Sequence, residues 1–212
     1  MGSLVRKLLG ARLAQLAGRR YRAIFVDLRK VAVVFAAAIP PNAQVLDIGG
    51  GDGEPLNHLL ALRSDLHITT LDPRAEVGQW IDARYSGRVT RLAHTNIADY
   101  LVLNRADPDA ILIADVMHHV PPYARGEFLR SIKVLLDRLP RLRIIVKDVE
   151  PGHWRAILGY WSDRYITGDR TVSLIASDEL VRLFEEHLGP LRRETTDLSA
   201  TDEPNYALVF FR

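Results

Sequence analysis

The stretch that decides the fold reads VLDIGGGDGEPL at Val45–Leu56, an apolar strand that runs through four glycines into the start of a helix. Glycine adopts backbone angles that are closed to other residues, and it lets a ligand approach the main chain closely. Pro55 suits the first turn of a helix, where its missing N–H costs nothing. A strand, a glycine turn and a helix in this order predict a nucleotide-type ligand at the turn.

An acid follows the glycine loop at the spacing that such a site requires. Asp72 stands 19 residues after Gly53, at the end of the next predicted strand. A carboxylate at that place can accept hydrogen bonds from both hydroxyls of a ribose. The loop and the acid together therefore predict a nucleoside cofactor.

The glycine spacing argues against a dinucleotide. A GxGxxG fingerprint that begins with Gly49 and Gly51 would end at Glu54, where a large side chain disturbs helix packing and a carboxylate repels the pyrophosphate. A nicotinamide-dependent oxidoreductase is therefore kept only as an alternative.

The stretch resembles the S-adenosylmethionine (SAM) loop of class I methyltransferases, D/ExGxGxG, which is matched by Asp47, Gly49, Gly51 and Gly53. The resemblance extends over most of residues 43–212. It implies a Rossmann-like α/β fold, with a mostly parallel seven-stranded sheet, helices on both faces and a C-terminal antiparallel β-hairpin. It also implies a SAM-dependent methyltransferase that releases S-adenosylhomocysteine.

The resemblance further implies a set of cofactor-binding residues near the carboxyl ends of the first four predicted strands. The set comprises Asp47, Gly49, Gly50, Gly51, Asp72, Pro73, Asn96, Ile97 and Asp115. By the family pattern Asp47 and the loop backbone meet the methionine part of SAM, and Asp72 meets the ribose. Asn96 and Ile97 lie where the family holds the adenine.

From residue 43 onward, short aliphatic runs alternate with amphipathic segments, which is typical of βα units around a largely parallel sheet. The predicted strands are Gln44–Ile48, Leu66–Leu71, Val89–Ala93, Ala110–Ala114, Leu142–Lys147, Leu191–Thr196 and Asn205–Phe211. The predicted helices are Pro55–Arg63, Arg74–Tyr85, Tyr123–Arg138 and Asp178–Leu188, the last with Ser177 as its N-cap and Gly189 just past its end.

The acceptor is expected beside the segment ADVMHHVPPY at Ala114–Tyr123, because open α/β sheets bind ligands at the carboxyl ends of their strands. The segment is similar to the LHHVP segment of small-molecule and lipid methyltransferases. That resemblance implies that His118 removes the proton of an acceptor hydroxyl, as a histidine does in the plant-type O-methyltransferases. Imidazole titrates near neutrality, as such a base must. Alternatively, the histidines only line the pocket or cap the following helix.

A carboxylate is expected to orient the base, as in other base arrangements, and either Asp148 or Glu150 could do so. The predicted catalytic residues are His118, His119 and Asp148. Asp115, Asp148 and His119 could in principle converge on a metal ion, but no ordered ligand set compels one, and we predict none.

The acceptor is predicted to be a small-molecule or lipid-like compound, methylated at oxygen rather than at nitrogen or carbon. Val120 opens the VPPY run, where the (D/N)PP(Y/F) motif of base-amine methylases needs a hydrogen-bond acceptor, so a nucleic-acid substrate is disfavoured. The aromatic residues of segment 154–165 predict either a wall over an apolar acceptor or plain core packing.

Composition sets further bounds. Lys and Arg number 28 against 26 acids, a net charge of +2, which again argues against a nucleic-acid partner. Cysteine is absent, so thiolate chemistry and cysteine-ligated metals are excluded. The longest apolar stretch is too short to cross a bilayer, and we expect a soluble, cytoplasmic protein. The oligomeric state is not predicted.

The N-terminal part differs from the rest of the chain, because residues 1–30 hold eight basic residues and one acid, Asp27. Leucines at helical spacing between Leu4 and Leu16 predict an amphipathic helix. We therefore divide the chain into a basic helical extension or lid, residues 1–40, and a SAM-binding domain, residues 41–212. The helix could pack on the domain, cover the active site, or make a peripheral contact with a membrane or an anionic substrate. A protein that binds SAM without catalysis is a further alternative.

Overall fold

The computed structural model describes residues 27–103, 105–151, 172–196, 198 and 205–212. Two predicted features lie outside these residues, the amphipathic helix around Leu4–Leu16 and the aromatic segment 154–165. Residues 199–204, which join the last two predicted strands, lie outside them as well.

One sheet of seven strands organises the described residues. The strands are β1 (Gln44–Ile48), β2 (His67–Asp72), β3 (Val89–Ala93), β4 (Ala110–Ala114), β5 (Arg143–Val149), β6 (Arg192–Thr195) and β7 (Asn205–Phe211). Their order in space is β3-β2-β1-β4-β5-β7-β6. The first five strands are parallel, whereas β7 runs antiparallel to both β5 and β6. The predicted fold class, including the antiparallel hairpin, is confirmed.

Helices cover both faces of the sheet. They are α1 (Leu28–Ala38), α2 (Glu54–Leu62), α3 (Ile97–Val102), α4 (Pro122–Arg138) and α5 (Ser177–Leu188), and a 3-10 helix spans Ala83–Arg88. Side chains alternate between the two faces along each strand. On one face, strand residues such as Ile111 form a core with α3, α4 and α5; on the other, residues such as Leu112 form a core with α1 and α2.

The strand order reverses between β1 and β4, because the chain winds in opposite directions on either side of these two neighbours. Ligands of open α/β sheets bind at such a point, outside the carboxyl ends of the strands. The glycine loop follows β1 and the histidine segment follows β4, so the fold brings the two most informative stretches of the sequence to one edge.

The predicted helix Arg74–Tyr85 is wrong. This stretch forms turns up to residue 81 and then the 3-10 helix. Its backbone is used elsewhere: the N–H of Gly78 donates to the carbonyl of Gly51 at 2.8 Å, and the N–H of Trp80 donates to that of Asp52 at 2.8 Å. Hydrogen bonds to the glycine loop therefore replace those of a helix.

Two helix starts also differ from expectation. The helix α3 was not predicted, since its six residues are too few for a period of 3.6 to show. Ser177 is the first residue of α5 rather than its N-cap, and its N–H donates to the Glu150 carboxylate at 3.1 Å. An acid from another element thus caps the helix. Gly189 ends α5 with a φ of 88°, as predicted.

The helix α1 is integrated into the domain. Val31 and Phe35 are buried in the same core as Val45 of β1 and Leu59 of α2. The predicted boundary at residue 40 stays a prediction. Within the described ranges, no helix has the length and apolarity needed to span a bilayer.

Candidate active site

The glycine loop is fastened to the neighbouring strand. The N–H groups of Gly49 and Gly50 donate to the carbonyl of Leu71 in β2, at 2.8 and 3.1 Å. Gly49, Gly51 and Gly53 have positive φ angles, whereas Gly50 does not. A side chain on Gly50 would meet Thr70, because its Cβ would lie 1.8 Å from the Thr70 hydroxyl oxygen. The loop therefore lies directly on β2.

Asp47 lies buried beneath this loop at the end of β1, with 4% of its surface exposed. The Thr70 hydroxyl donates to its carboxylate at 2.7 Å. Burial raises the pKa of Asp47 to about 7, and the charge of Asp72 acts in the same direction, against the Thr70 hydrogen bond. Such a carboxylate gains most from a cationic partner, because a positive charge stabilises its ionised form.

Asp72 joins the loop from the end of β2. Its Oδ2 accepts the N–H of Gly51 at 3.1 Å, so the acid is fixed to the loop that it was predicted to serve. Its Oδ1 accepts the backbone N–H of Arg74 at 2.8 Å and the Arg74 Nε–H at 3.1 Å. The Arg74 side chain is exposed, as is Pro73. The proposed ribose acceptor is thus engaged by a surface arginine.

The predicted adenine residues follow β3 at the same edge. The N–H of Thr95 donates to the carbonyl of Asp72 at 3.1 Å, which ties this segment to the end of β2. Asn96 caps α3 in a reciprocal box with Asp99, each side chain accepting the other's backbone N–H at 3.0 Å. Ile97 is buried in the core. Their role in binding adenine stays a prediction.

The segment after β4 contacts the glycine loop from the other side. A Cβ on Gly49 would lie only 2.6 Å from Cγ2 of Val116. Asp115, just before it, has a φ of 57°, and its N–H donates to the carbonyl of Lys147 at 2.9 Å. The Lys147 ammonium lies 2.5 Å from Asp115 Oδ1, and Lys147 is 2% exposed. The glycine loop after β1 and the histidine segment after β4 are therefore in direct contact.

His118 is held by Asp148, which lies 30 residues further along the chain. Nδ1 of the ring lies 2.5 Å from Oδ1 of Asp148, and the backbone N–H of His118 donates to Oδ2 at 3.2 Å. Both side chains are buried. Burial alone lowers the pKa of the imidazole, but the charge and hydrogen bond of Asp148 outweigh it, so the pKa of His118 is raised.

Of the two acids considered for orienting His118, the structure brings Asp148 into contact. Glu150 instead accepts the N–H of Ser177. His119 is exposed, with its ring centroid 4.2 Å from that of His118. Of the predicted catalytic set, His118 and Asp148 are therefore brought together, and His119 lies beside them at the surface.

Three side chains here are spaced closely enough to bind a metal ion, but the histidine among them is His118, whereas the sequence suggested His119. In the described residues, one potential ligand atom from each of Asp115, His118 and Asp148 lies within 4.8 Å of the others. A buried ammonium, that of Lys147, already neutralises Asp115. A divalent ion would add positive charge next to that ammonium, which Coulomb repulsion opposes. The absence of a metal stays a prediction.

Sequence reasoning missed Lys147 and Thr70. Lys147 was visible in the sequence as a lysine at the end of an apolar strand. Because lysine is almost never fully buried unless it is paired, this position indicated an acidic partner nearby. Thr70 offered none, because a threonine is ordinary in a strand.

A family model described as a methyltransferase domain matches residues 17–187, which is well over half of the chain. A carboxy-S-adenosyl-L-methionine synthase of Campylobacter fetus subsp. fetus (strain 82-40) is 25% identical over 104 residues, covering 48% of this chain and 43% of that protein. The family match confirms the predicted methyltransferase resemblance and, with it, SAM as the cofactor. The nicotinamide alternative is set aside.

Solved structures share the fold. An O-methyltransferase of neocarzinostatin biosynthesis, in complex with SAM and 2-hydroxy-5-methyl naphthoic acid, matches with a TM-score of 0.61 at 19% identity over 84% of this chain and 51% of that one. A second solved structure is the 1,6-didemethyltoxoflavin-N1-methyltransferase of Burkholderia thailandensis with bound 1,6-didemethyltoxoflavin and S-adenosylhomocysteine. It matches with a TM-score of 0.63 at 20% identity, over 92% of this chain and 80% of that one. The chain spans about half the length of the synthase and of the first enzyme.

Proposed function

This chain belongs to the methyltransferase-domain family, and on that premise we propose that it transfers the methyl group of SAM to a hydroxyl group of a small-molecule acceptor. The observation that carries the choice of oxygen is the buried imidazole of His118, held by the carboxylate of Asp148 at 2.5 Å. A hydroxyl has to lose a proton as it is methylated, and an oriented imidazole is suited to take it.

The proposed role of Asp148 is to fix the tautomer of His118. With the Nδ1–H donated to Asp148, Nε2 carries the lone pair and can accept the acceptor's hydroxyl proton. As the oxygen–carbon bond forms, the proton passes to Nε2 and the resulting imidazolium is paired with the carboxylate. When bound, SAM would supply the methyl group from its sulfonium, and breaking the sulfur–methyl bond would leave S-adenosylhomocysteine. The protein contributes positioning and a place for the proton.

The proposed cofactor site is the edge formed by the glycine loop and the ends of β1 to β4. Buried Asp47 would pair with the ammonium of the methionine part, with Gly49, Gly50 and Gly51 approaching it through their backbone. Asp72 would accept the ribose hydroxyls. Pro73, Asn96, Ile97 and Asp115 border the same edge and remain predicted contacts.

The proposed acceptor is a small hydroxylated compound. Two structural neighbours hold small aromatic ligands, and one of these enzymes is an O-methyltransferase. A lipid-like acceptor, a cytoplasmic location and a membrane contact through the basic N-terminus stay predictions, as does the lack of a nucleic-acid partner. A protein that binds SAM without turnover is the remaining alternative, and it differs from the proposal in releasing no S-adenosylhomocysteine.

The test begins with calorimetric titration of the purified protein with SAM, S-adenosylhomocysteine and NAD in parallel. Micromolar binding of the first two without the third is expected. A panel of phenols, hydroxy acids, fatty acids and matched amines is then screened for release of S-adenosylhomocysteine. Turnover with hydroxyl compounds that falls roughly 100-fold in His118→Asn, but not in the surface variant His67→Asn, supports the proposal. SAM binding without turnover on any acceptor favours the non-catalytic alternative, and turnover confined to amines overturns the choice of oxygen.

A further inference from the structure

Two carboxylates lie near His118, although one is enough to orient an imidazole. Potential ligand atoms of Asp115 and Asp148 both lie within 4.8 Å of a ring nitrogen of His118. Asp148 lies against Nδ1, whereas the Asp115 carboxylate lies 2.5 Å from the ammonium of Lys147. Each carboxylate therefore has a different cationic or hydrogen-bonding partner.

Lys147 and Asp115 are joined both by side chain and by backbone. Lys147 pairs in register with Ala114 of β4, and its carbonyl accepts the N–H of Asp115 at 2.9 Å. The positive φ of Asp115 turns this residue out of the line of β4, and aspartate tolerates that conformation better than most residues do. The lysine itself is 2% exposed. Burying an ammonium is costly unless it is paired, so a lysine at this place contributes its charge rather than its bulk.

Lys147 and its neighbour Asp148 act on different partners. Lys147 reaches the carboxylate of Asp115, while Asp148 reaches the ring of His118. Two adjacent residues of β5 thus hold the two ends of the segment Asp115–His118, which contains the predicted base.

We propose that Lys147 is a positioning residue for the methyl transfer, which holds the carboxylate of Asp115 away from the imidazole so that Asp148 alone pairs with His118. This inference rests on the proposed function, in which His118 has to present a neutral nitrogen to the acceptor. Without the ammonium, Asp115 would turn to the nearest positive charge available, that of protonated His118. An imidazole held between two carboxylates keeps its proton and cannot serve as a base.

Among the residues that the structure describes, other charged or titratable groups near this cluster come from four places. They are His119 beside His118, Glu150 after β5, Tyr206 opposite Asp148 on β7, and Arg125 of α4. Burial raises the pKa of Tyr206, so its hydroxyl stays neutral while donating to the carbonyl of Ile175. Arg125 is bound to the carbonyls of Val120 and Ser173. Burial and the charge of Lys147 lower the pKa of His118, whereas the charges of Asp148 and Asp115 raise it.

The test is an NMR titration of the His118 ring in full-length protein with labelled histidine. The signal is identified by its loss in His118→Asn. In Lys147→Met the midpoint of the titration is expected to rise by about one pH unit or more, because the Asp115 charge is no longer compensated. In the double variant Lys147→Met/Asp115→Asn, which removes both charges, it is expected to return to within about 0.3 pH units of the wild-type value.

A matching change is expected in turnover once an acceptor is known. On the acid limb of the pH profile, kcat/KM of Lys147→Met falls about tenfold for every pH unit by which the midpoint rises. In the double variant the midpoint of this limb is expected to return to its wild-type pH, whatever the maximal rate of that variant. A midpoint that is equal in Lys147→Met and the double variant overturns the inference. Should Lys147→Met not fold, Asp115→Asn serves instead: it is expected to lower the midpoint, and an unchanged midpoint overturns the inference.

The NMR result separates this inference from the proposed function, because it needs no acceptor. A midpoint that rises in Lys147→Met and returns in the double variant, with no effect of His118→Asn on turnover, would leave Lys147 as the group that holds Asp115 away from His118 but would remove His118 as the base. Loss of turnover in His118→Asn with an unmoved midpoint in Lys147→Met would do the reverse.

Discussion

Oδ1 of Asp148 lies 2.5 Å from Nδ1 of His118, and the same carboxylate also accepts the backbone N–H of His118 through Oδ2. One buried acid therefore fixes both the ring and the main chain of the predicted base. Asp148 also raises the pKa of His118, since its charge and hydrogen bond outweigh the burial that would otherwise lower the pKa of the imidazole.

Asp148→Asn is expected to lower kcat by about 100-fold while changing SAM affinity by less than about threefold, because the base loses its orientation and the cofactor edge is untouched. The acid limb of the kcat/KM profile is expected to move to lower pH, since burial then dominates the pKa of His118. Activity assays from about pH 5.5 to 9 check both. Asp137→Asn, which removes exposed ion pairs with Lys133 and Arg212, is the control. If the acid limb of Asp148→Asn lies at the same pH as in the wild type, Asp148 does not set the pKa that this limb reports.

Asp72→Ala is expected to weaken SAM binding by about 1 to 3 kcal/mol, which is roughly 5- to 150-fold in Kd, through loss of two charge-assisted hydrogen bonds to the ribose. The carboxylate is also bonded to Gly51, so thermal unfolding is measured alongside calorimetry to separate the two effects. If the variant is as stable as the wild type and binds SAM equally well, the ribose lies elsewhere.

Arg74→Ala is expected to have the opposite effect. The guanidinium donates to Asp72 through Nε at 3.1 Å and Nη2 at 3.3 Å, so a ribose has to replace it. Its side chain is 73% exposed, and such pairs contribute up to about 1 kcal/mol. SAM is therefore expected to bind about two- to fivefold more tightly. Arg84→Ala, which breaks a comparable exposed pair with Asp82 and leaves Asp72 untouched, is the matched control. Weaker binding in Arg74→Ala would instead place the arginine in contact with the cofactor.

SAM binding is expected to weaken as the pH falls below about 7, the pKa to which burial raises Asp47 in the free protein. The sign follows from the cationic ligand: an ammonium favours the ionised carboxylate, so binding lowers the pKa and releases protons. Calorimetry at about pH 6.5 in buffers of different ionisation enthalpy measures that release, expected at more than about half a proton per SAM. Asp47→Asn should bind SAM weakly and release fewer protons. Equal proton release in both proteins would assign the protons to another group.

Gly50→Ala is expected to destabilise the protein by about 1 to 3 kcal/mol and to impair SAM binding, because the new Cβ would collide with the Thr70 hydroxyl and the Asp47 carboxylate. Gly87→Ala is the control, since a Cβ there meets no atom within 4 Å. Thermal unfolding of both variants checks the prediction. Equal melting temperatures would mean that the loop can move off β2 at little cost.

The sheet could be predicted well from sequence because most of its strands are apolar runs with clear ends. The bounds of β1, β3, β4 and β7 are as predicted. The strand β5 was expected to end at Lys147 but continues to Val149, since Lys147 and Asp148 find partners that compensate their charges. Charged residues in a strand end it only when burial would leave them unpaired.

The site could be predicted in outline but not in its pairing. The acid that contacts His118 was one of two candidates two residues apart, and strand alternation places both on the same face. What separates them is tertiary: Asp148 faces Tyr206 within the sheet, whereas Glu150 lies past the strand and reaches the start of α5. A tertiary contact also explains why the helix predicted at Arg74–Tyr85 does not form. Backbone N–H groups of this segment donate to carbonyls of the glycine loop instead of to each other.

The strand β7 lies between β5 and β6, although it follows β5 by roughly 60 residues in the chain. During synthesis at about 5 to 20 residues per second, roughly 3 to 12 s therefore pass between the synthesis of β5 and that of its second neighbour in the sheet, β7. Through that interval the edge that bears Lys147 and Asp148 is open to other strands, and edges of this kind promote misassembly. The two charges near its end discourage such pairing, so the two residues proposed to act at the active site would also protect this edge of the nascent sheet.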